Sequence, residues 1–338
     1  MSIHSMIHAL PKAELHVHLL GAIRPVTLLE IMMEEEIEAP FKTPEDISRY
    51  FEFTDFPNFI EKYKQIVGYI KREAYFERLA YEMLEDCRES NVCYVEVSFS
   101  PTDHVNHGLN YWDMIDAINR GIRRAERAFT ITANIRIDLV RNYGPENGML
   151  VLDWIEQKPD NIVSIDIGGS EYKFPAAPFA DVYARAEKMG LHRVAHAGEA
   201  EGPESIWDAV NHLGVERIGH GVTAREDSEL MRALQETNIV IEACPMSNVR
   251  TRVVESIADH PIRKFFDYGL LVTVSSDDPS FFHTNMNNEY MQLHEHHGFS
   301  LEELFRLSLT AIDVSFLPDK KKGQMRASFV KQYEQIMV

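Results

Sequence analysis

The sequence holds 3 cysteines in 338 residues, Cys87, Cys93 and Cys244, and no two of them stand in a CxxC spacing. An odd, scattered set gives no disulfide framework and points to a reducing compartment, the cytoplasm. Long apolar runs are also missing: no uninterrupted stretch reaches the roughly 18 residues of a membrane span. Residues 1–11 carry no basic region followed by an apolar run, so no secretion signal is expected. Positive charge is scarce, with Lys plus Arg at 34 against Asp plus Glu at 53, a net −19. Such a chain repels polyanions at long range, which argues against DNA or RNA and favours a small, nearly neutral substrate. Neither a repeat nor a low-complexity linker interrupts the chain, so residues 1–338 are expected to form a single domain.

What is present begins with Ala13-Glu14-Leu15-His16-Val17-His18-Leu19-Leu20-Gly21, a strand-like run ending in a turn. Side chains alternate along a strand, so His16 and His18 share one face while Leu15, Val17 and Leu19 take the other. Two imidazoles on one face suit a divalent metal if other strands bring further ligands; two hydrogen-bonded core histidines are the plain alternative. Further strand-like runs follow at 92–99, 133–140, 162–167, 192–197, 217–220, 239–243 and 271–275, alternating with helix-like runs. Eight such units predict a closed (β/α)8 barrel, with a doubly wound open sheet as the alternative.

Ile115, Ile118, Ile122, Ala125 and Phe129 repeat at three and four, one face of a helix. Ser300 with Glu303 forms a capping box, and Thr43-Pro44 starts another helix. Residues 24–91 run far beyond an ordinary crossover and carry Tyr50, Phe51, Phe53, Phe56, Phe59 and Tyr63. This insertion after the first strand is either a helical lid over the barrel mouth or wall packing. Polar residues keep one parity: Tyr94, Glu96 and Ser98; Asn134, Arg136 and Asp138; Ser164 and Asp166. That parity would face the barrel interior, where Arg136 must pair with an acid such as Glu96 or Asp166.

The strand ends concentrate chemistry, as such barrels require. They bring His16 and His18, then His196-Ala197-Gly198-Glu199, Gly219-His220-Gly221 and Ser275-Ser276-Asp277-Asp278-Pro279. His16, His18, His196 and Asp277 offer a mixed nitrogen and oxygen set for a catalytic metal, which would lower the pKa of water. His220 is placed to orient that water or take its proton. Glu199 can sit beside the metal without ligating it and hand a proton to the substrate. Asp278 would hydrogen-bond the substrate or merely brace the turn before Pro279. His294, His296 and His297 read as a solvated helix end rather than a second metal site. Cys244 reads as a buried thiol rather than a nucleophile. The CxxC zinc pattern of cytidine-type deaminases is absent.

These residues, together with Pro11-Lys12-Ala13-Glu14, Asp166-Ile167-Gly168-Gly169-Ser170-Glu171, Arg217-Ile218 and Cys244-Pro245-Met246-Ser247-Asn248, resemble the adenosine deaminase family of the amidohydrolase superfamily. The resemblance covers nearly the whole length. It implies a (β/α)8 TIM barrel with one zinc ion held by His16, His18, His196 and Asp277. It implies that Glu199 protonates purine N1 as water attacks C6, with His220 as base or electrostatic partner. Gly169 would give its backbone N–H to N3, and Asp278 would face N7. With no lysine after the fourth strand until Lys173, one metal is favoured over two.

One position departs from the pattern. Leu20 stands where adenosine deaminases usually carry an Asp that meets the ribose 5′-hydroxyl, and where adenine-specific relatives tend to carry Glu. Leu20 accepts no hydrogen bond, and a buried unpaired hydroxyl costs about 1–3 kcal/mol. The expected activity is therefore zinc-dependent deamination of a 6-aminopurine nucleoside with a modified, apolar or extended 5′ group. Adenine or another aminopurine is the alternative, and a purine-binding barrel without turnover the rival of another class. Glu199 separates the rival, since binding alone does not require it.

Overall fold

The structure is a computed structural model and describes residues 1–337. Eight parallel strands run in the order β1 to β8: Lys12–His18, Val92–Phe99, Thr132–Val140, Ile162–Gly168, His192–Ala197, Arg217–His220, Val240–Ala243 and Val272–Val274. Each pairs with the next in sequence. The ring closes through a bridge between Val17 of β1 and Asp277, just beyond β8. There the His18 N–H donates to the Asp277 carbonyl at 2.8 Å, and the Asp277 N–H donates to the His16 carbonyl at 3.1 Å. This is a (β/α)8 TIM barrel, as the alternation of the sequence predicts.

The β8 strand is shorter than its apolar run suggests. Its last predicted residue, Ser275, still donates its N–H to the Ala243 carbonyl at 2.9 Å, and its hydroxyl accepts from the His16 N–H at 3.1 Å. The apolar parity of the strands, including Val95, Val97, Ile135, Ile137 and Ile165, is fully buried. Each such side chain contributes roughly 1.5–3 kcal/mol. The polar parity turns inward: Glu96, Ser98, Arg136, Asp138, Ser164 and Asp166 are buried, while Asn134 is only half-buried.

The Arg136 guanidinium pairs with Asp166 and, at 2.7 Å, with Glu242 of β7. Glu96 pairs instead with Arg217, which also meets Glu242 at 2.7 Å. Burial alone would raise the Glu242 carboxyl, but Arg136 and Arg217 bring it down to about 2.

The long excursion after β1 forms four helices, Pro25–Glu34, Pro44–Phe51, Phe56–Tyr69 and Tyr75–Glu89. The second starts at a capping box, where the Asp46 N–H donates to the Thr43 hydroxyl and the Thr43 N–H donates to the Asp46 carboxylate. Phe51 packs on Phe281 with ring centroids 4.5 Å apart, and Phe59 packs on Phe281 and Phe282 at 5.4 and 5.3 Å. Phe281 and Phe282 belong to Pro279–Phe282, the short helix that follows Asp278. The excursion is thereby tied to the end of β8, and it covers the mouth. Tyr50 does not join this layer and donates instead to the Gln65 side chain.

The helix Tyr111–Ala128 buries Ile115, Ile118, Ile122 and Ala125, and Phe129 lies just past its end. The Ser300 box caps Leu301–Asp313. No helix among the described residues is long and apolar enough to cross a membrane.

Candidate active site

Closing the barrel brings β1 and the end of β8 together, which gathers the predicted ligands. The donor atoms of His16, His18, His196 and Asp277 all lie within 4.8 Å of one another, and all four residues are buried. His16 Nε2 and His18 Nε2 stand 3.4 and 3.3 Å from Asp277 Oδ1. His16 Nε2 and Asp277 Oδ1 have no hydrogen-bond partner among the described residues. Buried, convergent and unpartnered donors of this mixed kind fit a divalent cation.

The far nitrogens are held from behind. His16 Nδ1 faces Glu242 Oε2 at 3.0 Å, and His196 Nδ1 faces Asp166 Oδ2 at 2.9 Å. Carboxylates placed so fix ring orientation and turn each Nε2 toward the centre. The charge layer inside the barrel is thus the support of this cluster. Glu242 is absent from the expected set, although a single acid inside the apolar run Ile239-Val240-Ile241-Glu242-Ala243 is a visible signal.

Glu199 follows β5 on a loop clamped by Glu171, a second residue not singled out beforehand. The Gly198 N–H donates to Glu171 Oε2 at 3.0 Å, and the Glu199 and Ala200 N–H groups donate to Oε1 at 2.9 and 3.0 Å. The Ser205 hydroxyl donates to Oε2 at 2.6 Å. Glu199 itself is only 8% exposed. Burial first, and then the negative charge of Asp277, pushes its carboxyl well above the usual range, which favours the protonated form. Its Oε2 lies 3.7 Å from His220 Nε2.

The proton position on His220 follows from a relay that starts at a backbone amide. The Ile262 N–H donates to His260 Nδ1 at 3.2 Å, so the neutral His260 ring carries its proton on Nε2. That nitrogen donates to Asn248 Oδ1 at 3.2 Å, and Asn248 Nδ2 donates to His220 Nδ1 at 3.2 Å. His220 Nε2 then bears the remaining proton and points at Glu199 and, 3.9 Å away, at Asp277 Oδ2. Burial drives the His220 pKa well below its ordinary value, which keeps the ring neutral. This arrangement suits an orienting donor, one of the two roles expected for His220.

His220 and Asp277 both hold left-handed backbone, with φ of 62° and 65°. Non-glycine residues rarely adopt it, and such strain concentrates where side chains are aimed at a site. Asp278 is buried against Gly21, where an added Cβ would fall 1.8 Å from Asp278 Oδ1. Burial, and then Asp277, lifts the Asp278 carboxyl to about 8. Gly169 has φ +89°, and a Cβ there would fall 2.5 Å from Asn142 Oδ1.

One cavity is lined by His18, His196, Glu199, His220, Asp277, Asp278 and Gly169. Phe56, Phe59, Ile60 and Tyr63 cover it, and Lys64, Ser100, Asp103, Asp138, Val140, Asn142, Gly168 and Ser170 line its remaining wall. The apolar cover expected of the excursion therefore exists. Leu20 does not line this cavity. It is buried on a small neighbouring one with Val67, Phe99 and His104, and Tyr63 borders both. Cys244 is buried, and burial pushes its thiol well above the usual range. His294 and His297 are engaged with the backbone carbonyls of Phe299 and Ile257, and neither joins a ligand cluster among the described residues.

Comparison with known proteins agrees with this geometry. Residues 11–332 match the family model described as adenosine deaminase. The chain is 33% identical over 330 residues to an adenine deaminase of Vibrio parahaemolyticus, with 97% of each covered. It is 34% identical over 328 residues to an aminodeoxyfutalosine deaminase of Streptomyces avermitilis, covering 96% of this chain and 92% of the relative. A crystal structure of an amidohydrolase from Burkholderia ambifaria with bound Zn superposes with a TM-score of 0.91 at 29% identity, covering 99% of this chain and 93% of that one. With its barrel, its four converging nitrogen and oxygen donors and a match spanning almost every residue, the chain belongs to the adenosine deaminase family and is a metal-dependent aminopurine deaminase.

Proposed function

We propose that the chain exchanges water for ammonia at C6 of an adenine ring, using one zinc ion held by His16, His18, His196 and Asp277. The observation that carries this reading is Glu199, a buried acid whose surroundings favour its protonated form, in the cavity that His18, His196 and Asp277 line. When bound, the ion supplies a water whose pKa falls from 15.7 toward about 7. Glu199 gives its proton to N1 as C6 is attacked, so the ring does not build up negative charge. His220 holds the attacking oxygen through Nε2–H. Asp278, lifted to about 8, donates to N7 in its protonated form. Gly169 offers its backbone N–H to N3, and Phe56, Phe59, Ile60 and Tyr63 exclude water above the ring.

Free adenine is the first substrate to test, since relatives of this chain are named adenine deaminases. A nucleoside with an apolar or extended 5′ group is the second reading, supported by the wall of Ser100, Asp103, Asn142 and Lys64 and by the apolar surroundings of Leu20. The test is the ultraviolet change on deamination of adenine, adenosine and 5′-modified adenosines by the zinc-loaded protein. Turnover is expected, with loss on chelation and recovery on adding zinc. Absence of turnover across the panel would leave a binding barrel.

A further inference from the structure

One buried carboxylate in this cavity has no task in the chemistry just described. Asp138 lies on β3, lines the cavity and is 4% exposed. Its Oδ2 accepts from the Ser100 hydroxyl at 2.5 Å. Its Oδ1 is buried and takes no hydrogen bond from any described residue. The register partner on β4, Asp166, is occupied by Arg136, His196 and the Ile167 N–H. Asp138, Asp166 and His196 do place ligand-type atoms within 4.8 Å of one another, but the Arg136 charge already holds Asp166 and argues against a second cation. A buried acceptor without a donor is costly, and native proteins rarely keep one except where a ligand completes it.

The oxygen is also kept approachable. Gly168 borders it, and a Cβ there would lie 2.7 Å from Asp138 Oδ1. Gly168 directly precedes Gly169, the proposed partner of N3. In a purine, N3 and N9 are bonded to the same ring carbon, C4. A group on N9 therefore falls on the Asp138 side of the ring.

We propose that Asp138 is a specificity-determining residue whose Oδ1 accepts a hydrogen bond from the donor the substrate carries at its N9 edge. That donor is the ring N9–H of a free aminopurine or a sugar hydroxyl of a nucleoside. The inference rests on the deaminase reading and on the ring orientation given with it.

The test compares kcat/KM of the zinc-loaded wild type and Asp138→Asn on adenine, adenosine and 9-methyladenine, which carries neither donor. Where 9-methyladenine is not turned over, its inhibition constant serves. Asn keeps an oxygen for Ser100 but puts an N–H donor where Oδ1 accepts. The variant is expected to lose about 10- to 100-fold on the substrate with the donor, and less than about twofold on 9-methyladenine. That near-normal value also shows that the variant is folded. Loss on adenine alone assigns the N9–H, and loss on adenosine alone assigns the hydroxyl. Equal losses on all three compounds, or none on any, would overturn the proposal. A wild type that deaminates nothing in the panel would instead remove the deaminase reading, and this inference with it.

Discussion

In the middle of the barrel, Arg136 and Arg217 face Glu96, Asp166 and Glu242, and each charge has an opposite within ion-pair distance. At the strand ends above, His16, Asp138, Asp277 and Asp278 are equally buried, yet each keeps an atom with no hydrogen-bond partner among the described residues. The two regions share strands, solvent exclusion and residue types. They differ in pairing, and the difference separates support from site. Burying a charge is expensive, so a layer that only has to hold the barrel and its histidines gives every charge an opposite, even where the hydrogen-bond angle is poor, as between Arg217 Nε and Glu242 Oε1 at 2.7 Å. Leaving polar atoms unpaired, with His220 and Asp277 in left-handed backbone, makes sense where a metal and a substrate supply the missing partners.

Three measurements press on that comparison. Glu199→Gln acts on the mouth alone: it should retain its metal and lose about 10²–10⁴-fold in kcat, because Gln cannot deliver a proton. Near-full activity with metal bound would mean that the proton comes from elsewhere. Arg136→Met acts on the paired layer. It strands Asp166 and Glu242 without one of their cations, and should cost about 3–5 kcal/mol in urea unfolding. A change under about 1 kcal/mol would show that Arg217 alone suffices, and that the layer is less interdependent than its ion pairs imply.

Acid separates the regions more gently. The His260 pKa is lowered by burial to about 3, from 6.5, so the unfolded chain takes up a proton before the folded one does. Its contribution is complete above pH 6.5 and fades as pH falls toward 3. Glu242, lowered to about 2 from 4.5, contributes fully above pH 4.5 and fades only below it. Between pH 7.5 and 5, therefore, the folding free energy contributed by His260 should fall while the contribution of the paired layer stays intact. The wild type should lose about 2 kcal/mol over that interval through His260, and His260→Gln should lose that much less. Identical pH slopes for the two proteins would remove His260 from the account.

The sequence carried the site further than it carried the support. His16 and His18 are legible because alternation along one strand is a local rule, and the other ligands because they stand just past apolar runs. Arg136 announces a partner because an unpaired arginine inside a barrel is untenable, and Asp166 is near enough in the pattern to be named. Glu242 and Arg217 are not, since nothing local relates β7 and β6 to β3. Glu171 and Asn248 were visible only as parts of longer motifs. Their roles depend on which loop folds over which. Leu20 shows the other limit: its place in the motif suggests the substrate, while the structure puts it on a small cavity that shares Tyr63, Ser100 and Asp103 with the main one.

By itself, then, the order of residues determined the elements, the barrel and the chemical character of each strand end, because periodicity and charge act over neighbours in the chain. Only the tertiary structure decided which carboxylate backs which imidazole, where the proton on His220 resides and which buried atoms remain without a partner. Those depend on distances between residues far apart in sequence, such as the 121 positions separating Glu96 from Arg217, and closing the ring is what sets them.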